Sequence, residues 1–130
     1  MRVKRLLLGD EALALGALHA GLSGVYAYPG TPSTEITEFI QGDPLARERG
    51  VRSRWCTNEK TAMEAALGMF YAGKRALVCM KHVGMNVCAD AFVNAGIREE
   101  MEYRGVSVII PQRECMQTLA RKNRQKKAAQ

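Results

Sequence analysis

Short β-favouring runs separated by stretches of helical periodicity run through this chain, and that alternation constrains its fold more than any other feature. Strands that must each be followed by a helix cannot pair through tight hairpins. They pair in parallel through crossover helices, which makes the expected fold α/β, a short and mostly parallel sheet flanked by helices. The strand-like runs are VYAY from Val25 to Tyr28, VRSRWC from Val51 to Cys56, RALVCM from Arg75 to Met80, and GVSVII at 105–110. The first helix is predicted over GDEALALGALHAG, with Asp10 as cap, Leu13/Ala17 and Ala14/Leu18 as apolar pairs four apart, and Gly21 at the left-handed C′ position. TPSTEITEFI predicts a helix capped by Thr31, with Pro32 at its first position, where a missing N–H costs nothing, and Glu35 near the positive end of the dipole. QGDPLARERG reads as a polar connection, Asn58 to Tyr71 as the second crossover helix ended by Gly73, NVCADAFVNAG as a further helix, and the segment after Pro111 as a loop and basic helix.

Several function classes lose support on composition. No apolar run approaches the roughly 18 residues of a membrane span, and the basic start Met1 to Arg5 leads into only three leucines, too few for a secretory signal. The expected location is cytoplasmic, without membrane contact. Cys56, Cys79, Cys88 and Cys115 stand 23, 9 and 27 residues apart with no CxxC pair, so no metal site is spelled out and reduced thiols are expected. The formal charge of +6 is uneven, since residues 1–97 hold 11 basic and 9 acidic residues (+2) and 98–130 hold 8 and 4 (+4). Most of that tail excess lies in Arg121 to Lys127, a run without an aromatic residue to stack on bases, so a solvated helix is expected there rather than a nucleic-acid contact.

In an open parallel sheet the ligand lies at the carboxyl ends of the strands, where each loop feeds a helix N-terminus. Three loops meet that condition: YPGTPS, CTNEK and MKHVGMN. Gly30 and Thr31 offer backbone N–H groups and a hydroxyl beside a helix start, suited to an anion, although Thr-Pro there also serves folding alone. Glu59 falls in the first turn of its helix, and two readings stand on spacing alone. It stabilises the helix through the dipole, or, between apolar walls such as Trp55, Ala62 and Met63, it shares a proton with a ligand nitrogen. His82, just past the third strand, is a loop residue or a ligand contact. There is no GxGxxG, no Walker loop and no paired metal-spaced His or Cys.

Taken together, LLLGDEALALGALHAG, YAYPGTPSTEI, NEKTAMEAALG and ALVCMKHVGMNVCADAFVNAGI resemble the N-terminal, pyrimidine-binding part of the alpha subunit of indolepyruvate:ferredoxin oxidoreductase, a thiamine-diphosphate enzyme of 2-oxoacids. The resemblance covers roughly residues 6–97. It implies a thiamine-diphosphate-binding fold of the pyrimidine type, with Glu59 as the acid used against the aminopyrimidine ring of the cofactor. It further implies that Gly30, Thr31, His82, Gly84 and Asn86 line the cofactor site. Such enzymes decarboxylate an aryl 2-oxoacid, pass electrons through iron–sulfur clusters to ferredoxin and give the acyl group to coenzyme A. Residues 103–115, YRGVSVIIPQREC, resemble the far end of the family's diphosphate-binding domain, while its GDG start, its magnesium ligands and the cysteine-rich cluster segment have no counterpart.

The resulting expectation is a truncated pyrimidine-binding domain over 1–97 with a strand and basic helix spliced on over 98–130. It carries part of a thiamine-diphosphate site and no metal ligands of its own. Magnesium and iron–sulfur clusters would come from a missing domain or partner, and a homodimer or a partner subunit is expected. The alternative is a non-catalytic remnant or assembly module that keeps the fold and dimer surface without turnover.

Overall fold

Three helices stop at a left-handed glycine, Gly21, Gly50 or Gly73, and a strand follows each of these stops. In the computed structural model, which describes residues 6–93, α1 (Gly9–His19) ends at Gly21 with φ +86°. There Gly21 N–H donates to Leu18 O and Leu22 N–H to Ala17 O, both at 3.1 Å, a paired closure that needs a left-handed residue. Gly73 ends the helix over Glu59–Tyr71 in the same way, as the sequence predicts. Two arginines add to the end of α1: Arg49 Nη1 donates to Leu18 O at 2.6 Å, and Arg75 Nη1 to Ala20 O, placing positive charge at the carbonyl end of the helix.

Three strands follow from these stops. They are β1 (Gly24–Ala27), β2 (Arg52–Trp55) and β3 (Ala76–Cys79), all parallel, in the order β2-β1-β3. Gly24 pairs in register with Arg52 and Ala76, and Ala27 with Trp55 and Cys79. The central strand β1 is buried at every position. On one face Val25, Ala27, Leu77 and Cys79 pack with Ala14 and Leu18 of α1 and with Ile36 and Ile40 of α2 (Thr34–Gly42). On the other, Tyr26, Val78 and Met80 pack with Ala62, Met63 and Ala66 of the helix over Glu59–Tyr71. Continuous apolar runs in β1 and β3 reflect this two-sided cover. β2, at an edge, exposes Arg52 and Arg54, charges that disfavour pairing with another chain.

Three local expectations give way. Asp10 does not cap α1, because the N-cap position is Leu8 and Asp10 lies within the first turn, where its charge suits the positive end of the dipole. Thr31 and Pro32 do not open α2, because the segment forms a turn closed by Ser33 N–H to Gly30 O at 3.1 Å, so that Ser33 is the N-cap and the helix starts at Thr34. The supposed polar connection contains a short helix, α3 (Pro44–Glu48), whose cap is Asp43 Oδ1 accepting from Leu45 N–H at 2.8 Å. The second crossover helix is α4 (Glu59–Tyr71). After β3 comes a 3-10 turn (His82–Asn86) and then α5 (Ala89–Ala91). The strand expected at 105–110, the basic helix after Pro111 and the end of the helix predicted over NVCADAFVNAG lie outside the described residues.

Candidate functional site

Parallel strands put all three carboxyl ends on one side of the molecule, and the residues singled out in the sequence gather there because each directly follows a strand or opens the next helix. The turn after β1 holds Gly30 and Thr31. Its backbone is already engaged: Gly30 N–H donates to Thr34 Oγ1 at 3.0 Å, and Gly30 O also accepts from Ser33 Oγ at 3.3 Å. The Gly30 N–H is therefore not an open anion donor. Thr31 is exposed. A Cβ at Gly30 would sit 3.0 Å from Lys81 Cβ, so this turn rests on the residue just before His82.

Glu59 opens α4, but it does not cap it. Asn58 does, with Oδ1 accepting from Thr61 N–H at 2.8 Å and from Thr61 Oγ1 at 3.0 Å. The Glu59 side chain thus keeps its carboxyl free of the helix's own N–H groups, and it is nevertheless buried, at 8% exposure. Ala62 and Met63, one turn on, are buried too, as expected of apolar walls. Trp55 is more open, at 37% exposure. Among the described residues no side chain hydrogen-bonds or ion-pairs with the Glu59 carboxyl. Its oxygens are not among the fully buried unpaired side-chain atoms, which among the described residues are Thr37 Oγ1 and Ser53 Oγ, so a mostly buried acid here keeps its polar end open to a ligand or to solvent.

Gly84 covers Glu59 from the third loop. A Cβ built on it would stand 2.5 Å from Glu59 Cγ and 2.8 Å from Cδ. The loop is held in place by Gly84 N–H to Lys81 O at 2.8 Å and Val87 N–H to Gly84 O at 3.0 Å. His82 and Asn86, on the same turn, are exposed. The structure therefore brings Glu59 and Gly84 into contact and Gly30 onto the start of the His82 loop, while Thr31, His82 and Asn86 face outward on those loops.

Beneath the contact lies a residue that sequence reasoning passed over. Cys88 is fully buried, its thiol 3.6 Å from Met80 Sδ and 3.7 Å from Met85 O. Burial, then the charges of Glu59 and Asp90, hold it above the ordinary thiol range, so it is a neutral neighbour of the acid. Lys60 Nζ meets Asp90 Oδ2 at 2.6 Å on the surface, tying the first turn of α4 to α5. Cys56, Cys79 and Cys88 are free thiols. Among the described residues there is no cluster of three or more His, Cys, Asp or Glu able to hold a metal, and no helix long and apolar enough to cross a membrane.

No protein-family model matches the chain. Individual proteins do. Indolepyruvate oxidoreductase subunit IorA of Thermococcus kodakarensis is 48% identical over 90 residues, covering 69% of this chain and 14% of that protein. The subunit IorA of Archaeoglobus fulgidus is 46% identical over 101 residues, covering 73% and 16%. Among solved structures, a 2-oxoglutarate:ferredoxin oxidoreductase from Magnetococcus marinus, with 2-oxoglutarate, coenzyme A and succinyl-CoA bound, superposes with a TM-score of 0.71 at 25% identity, over 84% of this chain and 18% of that one. The chain thus spans 14 to 16% of the length of these curated relatives. Over the stretch it shares with them, it belongs to the indolepyruvate oxidoreductase alpha subunits of the 2-oxoacid:ferredoxin oxidoreductase family.

Proposed function

We propose that this chain supplies the aminopyrimidine-activating part of a thiamine-diphosphate site in an indolepyruvate-type 2-oxoacid:ferredoxin oxidoreductase. The observation that carries the reading is the buried Glu59 carboxyl, without a side-chain partner among the described residues, at the carboxyl end of a sheet whose relatives belong to that family. The residues fit the pyrimidine half of the group: a carboxyl set in a largely apolar environment beside a residue with no side chain is what a flat heterocycle carrying a ring nitrogen requires. When bound, thiamine diphosphate supplies the nucleophilic carbon that adds to a 2-oxoacid carbonyl. Glu59 holds or accepts the proton at the ring nitrogen. Ala62 and Met63 keep water from its inner side, and the turn carrying His82, Gly84 and Asn86 forms the wall facing the ring, with Gly30 and Thr31 at the margin.

Magnesium, the diphosphate and the iron–sulfur clusters belong, in this proposal, to another domain or chain. The acceptors are ferredoxin and coenzyme A, the substrate an aryl 2-oxoacid, and the assembly a homodimer or a complex with a partner subunit. Thiamine diphosphate with magnesium and a diphosphate-binding partner is expected to give 2-oxoacid oxidation, and Glu59→Gln to lower turnover by about 10²–10⁴-fold, the usual contribution of a positioned acid–base group. Unchanged turnover in that variant removes Glu59 from the chemistry. No cofactor-induced rise in melting temperature under any pairing favours a non-catalytic assembly module instead.

A further inference from the structure

Gly84 has no conformational reason to be glycine. The glycines with positive φ are Gly21, Gly50 and Gly73. Gly84 lies in ordinary backbone inside the 3-10 turn over His82–Asn86, and in helical backbone alanine is preferred by roughly 0.5–1 kcal/mol. Yet the space beside it is closed to a methyl group, and the closest obstruction is Glu59. The three atoms nearest an ideal Cβ are Oε1, Cγ and Cδ of Glu59, the last two at 2.5 and 2.8 Å. No backbone atom is among them. A methyl group there has to displace a flexible side chain rather than the main chain, so the cost falls on where the carboxyl sits more than on whether the chain folds.

We propose that Gly84 is a positioning residue, its missing side chain forming the seat that fixes the Glu59 carboxyl. In this role it works through Glu59, separately from the place of its turn in the wall facing the ring. The turn is rigid enough to serve, because Gly84 N–H is bonded to Lys81 O and Gly84 O accepts from both Val87 and Cys88 N–H, at 3.0 and 3.3 Å. From below, Cys88 is held against Met80 and Met85, so the loop has little room to retreat when pushed. The carboxyl has to yield instead. Ala62 and Met63 follow three and four residues on along the same face of α4 and are both at or below 3% exposure, so the core side is filled and the outward direction is left.

The inference deepens the reading of Glu59 as the proton-holding acid and rests on it for its functional meaning, but it is tested without cofactor. In the complete chain, carboxyls are converted to amides with a water-soluble carbodiimide and an amine, and conversion at Glu59 is read by peptide mass spectrometry. In the native chain Glu59 is expected to react far more slowly than the exposed Glu35 and Glu64. In Gly84→Ala its reaction is expected to rise severalfold with little change in melting temperature. Unchanged conversion in Gly84→Ala overturns the proposal. So does a rise matched by faster amide exchange throughout β1 and β3, which would mean general loosening. Should Gly84→Ala not fold, recovery of the fold in the Glu59→Ala, Gly84→Ala double variant supports the seat, and failure of both overturns it. Failure of the Glu59→Gln turnover test leaves these outcomes readable, so the two ideas fail separately.

Discussion

Glu59 and Cys79 are both buried near the carboxyl ends of the strands, but their surroundings do different things. Glu59 is relieved of capping by Asn58 and is left with a carboxyl facing a glycine, an arrangement that stability alone does not require. Cys79, the last residue of β3, is a structural thiol. Burial pushes it up to about 11, and the charge of Asp10 at the start of α1 adds to the effect. The Thr37 hydroxyl opposes the shift without making a well-formed hydrogen bond. A thiol with a raised folded value stays protonated in the fold while the unfolded chain ionises near 9.0, so stability is fully present below pH 9 and is lost as pH rises toward 11. Two units of difference correspond to about 2–3 kcal/mol. Denaturant titrations of the native chain and Cys79→Ala between pH 8 and 11 check this. The variant is expected to be less stable at neutral pH through lost packing, but its stability curve should be flatter across the alkaline window. An equally steep decline in both would assign the loss to other groups.

At the scale of elements, α4 matters most because its first turn carries the acid. Asn58 Oδ1 satisfies two donors of Thr61, and Asn58→Ala is expected to cost about 1 kcal/mol, the usual worth of an N-cap. It is also expected to raise amide exchange in the first turn of α4 while leaving its last turn unchanged. A uniform loss along the helix would contradict a local capping role. The order and type of the main elements were legible in the sequence because apolar pairs four apart and β-branched runs report which face is covered. The start of α2 was not. TPST offers Thr31, Ser33 and Thr34 as capping residues, and the choice is settled by a turn back to Gly30 that composition does not encode. α3 was missed although its signal was present, since Asp43–Pro44 is an N-cap followed by proline at the first helical position; five residues are too few for periodicity to show. At the site, the position of Glu59 was readable from its loop. Its seat on Gly84 was not, because a contact 25 residues away in the chain leaves no local pattern, and the same holds for Lys60 with Asp90 and for Cys88 beneath them.

At the scale of the whole molecule, several exposed apolar side chains lie at the end that holds the site, although Tyr71, at the far end of α4, is exposed as well. Tyr28 follows β1, Trp55 closes β2, and Val83 and Val87 lie in and just after the turn that follows β3, with 37 to 50% of their surfaces open. Leu8 joins them, because α1 runs opposite to the strands and its first turn lies near their carboxyl ends, where Asp10 reaches Cys79. A scattered surface leucine needs no explanation, but several large apolar groups around a buried acid are the kind of surface from which association is predicted. Cover there would also exclude water from Glu59, which strengthens any proton sharing by lowering the local dielectric. The expected outcome is association through this rim, with itself or with a partner subunit. Sedimentation of the chain alone should then show a concentration-dependent rise in mass, with Trp55 emission, the signal of the sole tryptophan, shifting to shorter wavelength as the rim is buried. Replacing Val83 and Val87 by lysine together should weaken association at least tenfold and leave far-UV dichroism unchanged, since neither side chain belongs to the packed cores on the two sheet faces. A chain that stays monomeric at every concentration and binds no partner subunit, with Trp55 emission constant, would mean that the rim is not a contact surface and that Glu59 is screened from water by Gly84 and the walls of α4 alone.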